Sequence, residues 1–299
     1  MARRAPEPVE PHTRPLEACP LQLCVLSSSS GGNCSALLAG EGTTRRLYLI
    51  DLGLSPRRTR ILLAQVGLAD VPIAAALLTH LDADHWRATW ARSLPEHTPI
   101  FVHRRHRGRA GREGVTHHRT EFFEGDFDLP SKGGHPLYVR TAHNPHDDLG
   151  SVSFRFMFEA AAGDLGYATD IGVPTPALVS ALAGVDLLAV ESNYCPLMQQ
   201  ASGRPAALKE RIMGGSGHLS NEQSASLVRS IAPRRHVVLL HLSRECNRPE
   251  VAVRHHQHGP LGVTVSSPDG PTGWLGVSTL SGTVESRRIA PASLFTPQE

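Results

Sequence analysis

The chain has 299 residues, and its 30 Lys and Arg nearly balance its 28 Asp and Glu, which gives a formal net charge of +2 with the 17 His counted as neutral. This balance excludes a polybasic tail protein and an acidic disordered chain. Hydrophobic residues make up 40% and charged residues 19%, a composition typical of a globular enzyme, while the 27 Gly and 23 Pro argue against a helical bundle. Histidine is the residue type present in excess.

Cysteine spacing and the first residues of the chain predict where the protein resides. The five cysteines are scattered and form no C-x-x-C spacing, which predicts a reduced, cytoplasmic protein. Residues 1–20 are rich in Pro, Glu and Arg without an apolar run, so we expect a disordered leader and not a signal peptide. Residues 21–299 are predicted to form a single domain. No apolar stretch approaches the roughly 20 residues that cross a bilayer, so no membrane contact is expected.

Short apolar segments bounded by turn residues predict strands along the chain. In the first half these strands are 21–26, 34–38, 46–50 and 74–78, with helical spacing at 57–66. The basic, histidine-rich segment 103–119 is predicted to be a surface loop or insertion. The later strands are 137–141, 151–158, 164–168, 185–190 and 236–240, with a helix at 221–231 that Ser220 would cap. Strands first in runs and then alternating with helices predict an α/β sandwich of two sheets with helices outside.

Residues that could bind metal ions follow several predicted strands. After strand 74–78 come His80, Asp82, Asp84 and His85. These four cannot all lie on one face of a helix, but a loop leaving a strand can direct two pairs toward two neighbouring metal ions. A single His or Asp at such a place is more often a cap or a turn residue, so the joint arrangement is what predicts a metal site. Further candidates follow other strands: Asp51, His143, His146, Asp147, Asp148, Asp170 and His241.

This pattern resembles the metallo-β-lactamase fold hydrolases: His80-x-Asp82-x-Asp84-His85, with Asp51 before it and His146, Asp170 and His241 after it. The flanking segments 28–34, 191–193, 217–221 and 241–247 are similar to the WalJ-type branch, whose members are associated with 5′ exonuclease activity on DNA. The resemblance covers roughly residues 20–270. It implies a four-layered αββα sandwich and a metal-dependent phosphodiesterase or nuclease that acts from a 5′ end, on DNA in preference to RNA.

The resemblance also implies two divalent metal ions, zinc or manganese, with iron or magnesium as alternatives. Their ligands would be His80, Asp82 and His146 for one ion, Asp84, His85 and His241 for the other, and Asp170 as the bridge. A metal-bridged hydroxide would attack phosphorus, with Asp84 among the catalytic residues. Asp51 would orient a ligand histidine from behind. His218 is a candidate for contacting substrate phosphate or protonating the leaving group, and a structural loop histidine is the alternative.

Two positions depart from the family pattern. The family has His-x-His-x-Asp-His, but Asp82 replaces the second histidine here. A hard, negatively charged oxygen ligand should shift the metal preference toward manganese, iron or magnesium relative to zinc. Tyr194 stands where relatives in the branch have a histidine after Glu-Ser-Asn, so no role of that histidine is carried over.

Predicted substrate contacts lie in loops near the expected site. The 27–33 loop could offer backbone N–H groups to an anion, or it could only turn the chain between two strands. The substrate-binding candidates are Ser29, Asn33, Asn193 and Arg211. Other basic residues could bind phosphate or only form a solvated face: Arg104, Arg105, Arg107, Arg109, Arg112, Arg204 and Lys209.

Two other functions stay open on the sequence. The chain could hydrolyse a small molecule such as a cyclic phosphodiester or a lactone, because this fold hosts many reactions. It could also be a metal-binding module without catalysis, because of Asp82. A nuclease needs an open basic groove, whereas a small-molecule enzyme would cover its site with a lid. The sequence does not indicate the oligomeric state.

Overall fold

The computed structural model describes residues 11–117, 119–130, 136–257 and 260–277. The strands within these ranges are β1 (Leu21–Ser27), β2 (Cys34–Ala39), β3 (Arg46–Ile50), β4 (Ile73–Leu78), β5 (Ile100–His103), β6 (Thr120–Phe123), β7 (Phe127–Leu129), β8 (Leu137–Asn144), β9 (Ser151–Phe158), β10 (Leu165–Ala168), β11 (Leu187–Glu191), β12 (His236–Leu240), β13 (Gly262–Val265) and β14 (Leu275–Gly276). The α-helices are α1 (Pro56–Gln65), α2 (Arg107–Arg112), α3 (Pro176–Leu182), α4 (Pro196–Ala201), α5 (Ala206–Met213), α6 (Asn221–Ile231) and α7 (Pro249–His256).

The strands form two seven-stranded sheets that pack face to face. Their orders are β14-β1-β2-β3-β4-β5-β6 and β13-β12-β11-β10-β9-β8-β7. Strand β2 shows how the layers arise, because its side chains alternate between two cores. Leu37 points into the core between the sheets with Phe154 and Leu240. Leu38 points to the outer face, where Leu62 of α1 covers the first sheet.

Helices cover the outer face of the second sheet in the same way. Leu182 of α3 and Leu227 of α6 pack with Val190 of β11 in a third buried cluster. Helix α6 begins where the sequence predicts, because the Ser220 side chain accepts a hydrogen bond from Gln223 N at 3.2 Å. The layers therefore run helix, sheet, sheet, helix, which confirms the predicted αββα sandwich. None of the described helices has the length and the apolar stretch needed to cross a bilayer.

The prediction of a loop at 103–119 is wrong. His103 ends β5, a short 3-10 turn follows, and α2 occupies the middle of the segment. Ala110 and Val115 are fully buried against the outer core of the first sheet. The exposed basic residues of the segment are Arg104, Arg105, Arg107, Arg112 and Arg119. Only two apolar residues anchor it, and the hydrophobic pattern is too sparse to reveal them.

The predicted leader falls partly outside the described residues, as do residues 278–299 of the predicted domain. Residues 11–20 pack on the domain. His12 pairs with Trp274 in an isolated antiparallel bridge, and Cys19 is buried. Leu16 N donates a hydrogen bond to Gln22 Oε1 at 2.6 Å, which attaches this segment to the start of β1.

Candidate metal centre

The candidate site lies at the carboxyl ends of strands from both sheets. Asp51 follows β3 directly, His241 follows β12 directly, and Asp170 lies two residues after β10. All three have left-handed backbone conformations, with φ of 61°, 56° and 53° respectively. Non-glycine residues rarely adopt this conformation, and it concentrates at functional sites. The turn of the backbone here places three ionisable side chains at one edge of the sandwich.

The first group of candidate ligands consists of His80, Asp82 and His146, whose ligand atoms lie within 4.8 Å of one another. Asp82 Oδ2 is 3.6 Å from His80 Nε2 and 3.9 Å from His146 Nε2. His146 Nδ1 lies 2.8 Å from the carbonyl oxygen of Gly217, which leaves Nε2 facing the group. His80 Nε2 is buried and has no hydrogen-bond partner among the described residues. A buried nitrogen in this state fits a metal ligand.

The second group consists of Asp84, His85 and His241. Asp84 Oδ2 lies 3.1 Å from His241 Nε2 and 3.7 Å from His85 Nε2. Asp170 lies between the two groups, because its Oδ2 is 3.0 Å from His85 Nε2 and its Oδ1 is 3.9 Å from His146 Nε2. The structure therefore brings together the seven residues predicted as metal ligands: His80, Asp82, Asp84, His85, His146, Asp170 and His241.

The electrostatics of these groups fit cations. Burial disfavours the charged form of His241, but Asp170, Asp84 and Glu191 outweigh it and raise its pKa to about 10. Burial acts on His85 in the same direction, and its carboxylate neighbours likewise raise its pKa well above the ordinary value. Buried carboxylates thus favour the protonated forms of His85 and His241. Divalent cations would replace those protons and satisfy the same negative charges.

Asp51 lies behind the second group and is fully buried. Its Oδ2 is 2.7 Å from His85 Nδ1, and its Oδ1 accepts a hydrogen bond from Thr79 N at 2.8 Å. A carboxylate acceptor at Nδ1 fixes the histidine tautomer in which Nε2 carries a lone pair for a metal ion. This contact is the one expected from its predicted orienting role.

Three predicted substrate-binding residues lie outside the cavity wall. Ser29 and Asn33 are each 1% exposed, and Asn193 is 5% exposed. Asn33 Nδ2 lies 3.0 Å from His85 Nε2, and Asn193 Nδ2 donates to the carbonyl oxygen of His241 at 2.7 Å. The Asn33 and Asn193 side chains therefore support the loops that carry the ligands, whereas the Ser29 hydroxyl accepts a hydrogen bond from Gly31 N within its own loop. The 27–33 loop contributes Ser30 to the cavity wall instead.

His218 and Glu191 form a pair beside the second group. His218 Nδ1 lies 2.6 Å from Glu191 Oε1. Glu191 is fully buried, and its Oε2 accepts hydrogen bonds from Ile171 N at 2.9 Å and Leu219 N at 3.2 Å. Glu191 was not among the predicted site residues. The signal was present, because Glu191 is a carboxylate at the end of a buried strand, like the other site residues.

Six of the seven candidate ligands line a cavity of about 940 Å³ that opens to solvent, and the seventh, His85, is fully buried. Its basic wall contains Arg109, Arg112 and Arg211. Arg109 Nη1 donates to Asp82 Oδ1 at 2.6 Å, and Arg211 pairs with Asp147. The other predicted basic residues do not belong to the described lining: Arg104, Arg105, Arg107, Arg204 and Lys209. Arg104 pairs with Glu124 and Arg204 with Glu245, which is typical of a solvated face.

Comparison with known proteins agrees with this architecture. The sequence profile described as "Beta-lactamase superfamily domain" matches residues 46–242. Exodeoxyribonuclease WalJ of Streptococcus pneumoniae serotype 2 is 26% identical over 273 residues, which cover 83% of this chain and 95% of that protein. Exodeoxyribonuclease YycJ of Bacillus anthracis is 25% identical over 244 residues, which cover 78% and 86%.

Among solved structures, the metallo-β-lactamase fold protein YhfI from Bacillus subtilis superposes with a TM-score of 0.62 at 14% identity, covering 84% of this chain and 99% of that one. This likeness extends the agreement to the arrangement of strands and helices. The chain belongs to the metallo-β-lactamase superfamily.

Proposed function

We propose that this chain is a metal-dependent phosphodiesterase that hydrolyses DNA from a 5′ end. One joint observation carries the proposal: two His/carboxylate groups that share Asp170 lie in a solvent-open cavity beside Arg112 and Arg211. Arginine is suited to phosphate recognition because its planar guanidinium offers a fork of donors. The relatives named exodeoxyribonuclease support the same reaction, since the matches span 83% and 78% of this chain.

The residues present fit two divalent metal ions. His80 Nε2 is buried without a hydrogen-bond partner, and the Asp170 carboxylate is buried, so a cation between them would stabilise both groups. His80, Asp82 and His146 would hold one ion, Asp84, His85 and His241 the other, and Asp170 would contact both. When bound, the ions would lower the pKa of water and offset the negative charge that develops on a phosphoryl group. Asp82 alone would favour manganese, iron or magnesium over zinc, and this preference stays a prediction.

His218 would donate the proton that the leaving group needs. Because its Nδ1 is held by Glu191, Nε2 is the ring nitrogen available to a substrate in the cavity. In the hydrolysis, a water molecule releases one proton to solvent, its oxygen bonds to phosphorus, and the bond from phosphorus to the leaving alkoxide oxygen breaks. The alkoxide takes the proton from His218 Nε2, and solvent restores it. Glu191 fixes the orientation of the His218 ring.

Arg112 and Arg211 would bind backbone phosphates of the DNA strand. The molecule has a net charge of only +2, so its affinity for nucleic acid must come from local groups of this kind. Arg211 already pairs with Asp147, which holds its guanidinium at the cavity. A solvent-open cavity suits a strand better than a small molecule enclosed by a lid, so the small-molecule hydrolase is not favoured.

The test compares substrates on protein reconstituted with manganese, zinc or magnesium. We expect 5′-labelled DNA to lose its label first, with slower turnover of RNA and no activity after chelation. Asp84→Ala should abolish hydrolysis in a chain that keeps its circular dichroism spectrum. Turnover confined to a lactone, or internal cleavage of DNA without a 5′ preference, would contradict the proposal.

A further inference from the structure

The carboxylate of Asp82 is shared between two neighbours with different chemistry. Its Oδ1 accepts a hydrogen bond from Arg109 Nη1 at 2.6 Å. Its Oδ2 faces the first ligand group, 3.6 Å from His80 Nε2 and 3.9 Å from His146 Nε2. The Asp82 and Arg109 side chains are 27% and 30% exposed, so the contact is partly screened from water. One oxygen is thus engaged by a guanidinium, and the other faces the two histidines.

Arg109 reaches Asp82 because α2 is fastened to the metal-binding loop. Ala110 is fully buried and anchors the helix on the outer core of the first sheet. Trp86 Nε1, at the end of the loop, donates to the carbonyl oxygen of Glu113 at 3.1 Å, just beyond the end of α2. Arg109 Nε also lies 3.9 Å from Glu113 Oε1, which restricts the guanidinium from its other side. The contact is therefore held by packing and not only by attraction between two charges.

The occupied oxygen changes what Asp82 can offer a metal ion. A free carboxylate can bind through one oxygen or two, and two-oxygen binding suits the larger, harder cations. With Oδ1 bonded to Arg109, Asp82 offers a single oxygen beside two imidazole nitrogens. Two imidazoles and one carboxylate oxygen are a donor set found at zinc and iron sites. The guanidinium also offsets the negative charge that Asp82 brings to a position where the family pattern has a neutral imidazole.

We propose that Arg109 is a specificity-determining residue of the first metal site: it occupies one oxygen of Asp82, so that the aspartate binds the metal ion through the other oxygen alone. Asp82 and Arg109 together then take the place of the missing histidine. The inference rests on the proposed function only in requiring that His80, Asp82 and His146 bind a metal ion, and it does not depend on the substrate.

The test is the ratio of manganese to zinc bound at equilibrium with equal buffered concentrations of both ions, measured by elemental analysis. Removal of a positive charge strengthens the binding of every divalent cation alike, so this effect cancels in the ratio. Arg109→Gln should raise the ratio by about tenfold, since loss of a residue that supports a ligand changes metal affinity by this order. Arg109→Lys, which can still donate to Oδ1, should stay closer to the wild type.

Two controls isolate the Asp82 contact. Arg112→Gln removes the same charge from the same helix and cavity wall and should leave the ratio unchanged. In the Asp82→His background, Arg109→Gln should have no effect on the ratio, because no second oxygen is released. An unchanged ratio in Arg109→Gln, or an equal rise in Arg112→Gln, would overturn the inference. DNA hydrolysis measured on the same samples separates this outcome from failure of the proposed function, because metal-loaded protein without nuclease activity contradicts only the latter.

Discussion

Replacement of Asp51 by asparagine tests how the second ligand group is held. Asp51 Oδ1 accepts a hydrogen bond from Thr79 N at 2.8 Å, and its Oδ2 lies 2.7 Å from His85 Nδ1. In Asp51→Asn the amide oxygen can keep the bond from Thr79 N, which turns the NH₂ group toward His85 Nδ1. Two donors cannot face each other, so His85 must carry its proton on Nε2 instead. That nitrogen then has no lone pair for a metal ion.

We expect the affinity for one of the two metal ions, the one that His85 would bind, to decrease tenfold to hundredfold, which corresponds to about 1.4–2.8 kcal/mol. Bound metal per chain, measured by elemental analysis across a series of metal buffers, gives the affinity. Nitrogen NMR of the imidazoles reports the tautomer of His85 directly. Asp126→Asn is the matched control, because Asp126 also accepts a hydrogen bond from a backbone amide, Thr141 N at 2.8 Å, but lies outside the candidate site. If Asp51→Asn binds both ions with wild-type affinity, the tautomer argument is refuted.

Three further predictions concern the cavity, the core and pH. Arg112→Gln should raise the KM for DNA by about fivefold, equivalent to about 1 kcal/mol for an exposed charge pair, and leave the KM for a bis-aryl phosphate unchanged; equal effects on both would contradict a role in strand binding. Phe154→Ala should lower the free energy of unfolding by about 3–5 kcal/mol in urea titrations, because Phe154 is fully buried between the sheets; a loss below about 1 kcal/mol would contradict this packing. Burial and Arg235 lower the pKa of His236 from 6.5 to about 4, so between these values the unfolded chain binds a proton that the folded chain does not. The free energy of unfolding should therefore decrease by up to about 3 kcal/mol as the pH is lowered through this window, and the decrease should be smaller in His236→Gln. Identical pH profiles of the two proteins would contradict this prediction.

The metal ligands could be predicted because each lies close in sequence to the end of a predicted strand. His80 and Asp84 lie in one short loop after a buried strand, and Asp170 and His241 each follow an apolar run. A strand's carboxyl end is readable from composition, and such ends converge at one edge of a sheet. Convergence across both sheets then follows from the sandwich itself.

The supporting contacts could not be predicted, because they join segments far apart in the chain. Arg109 and Asp82 are 27 residues apart, and nothing in the basic segment distinguishes Arg109 from its exposed neighbours. Asn33 was predicted to contact substrate because its loop is polar, but the loop folds inward and buries it. Polarity indicates that a side chain needs partners. It does not indicate whether those partners are protein atoms or a ligand.

The left-handed residues Asp51, Asp170 and His241 have a consequence for engineering. Each holds a backbone conformation that costs about 1 kcal/mol or more for a residue with a side chain, and glycine would remove that cost. Glycine would also remove the carboxylates and the imidazole that pair with buried partners here, so a choice of substitutions that scores backbone strain alone would select glycine at these positions and lose the site. A thermostabilisation campaign on this scaffold should hold the three codons fixed from the first round.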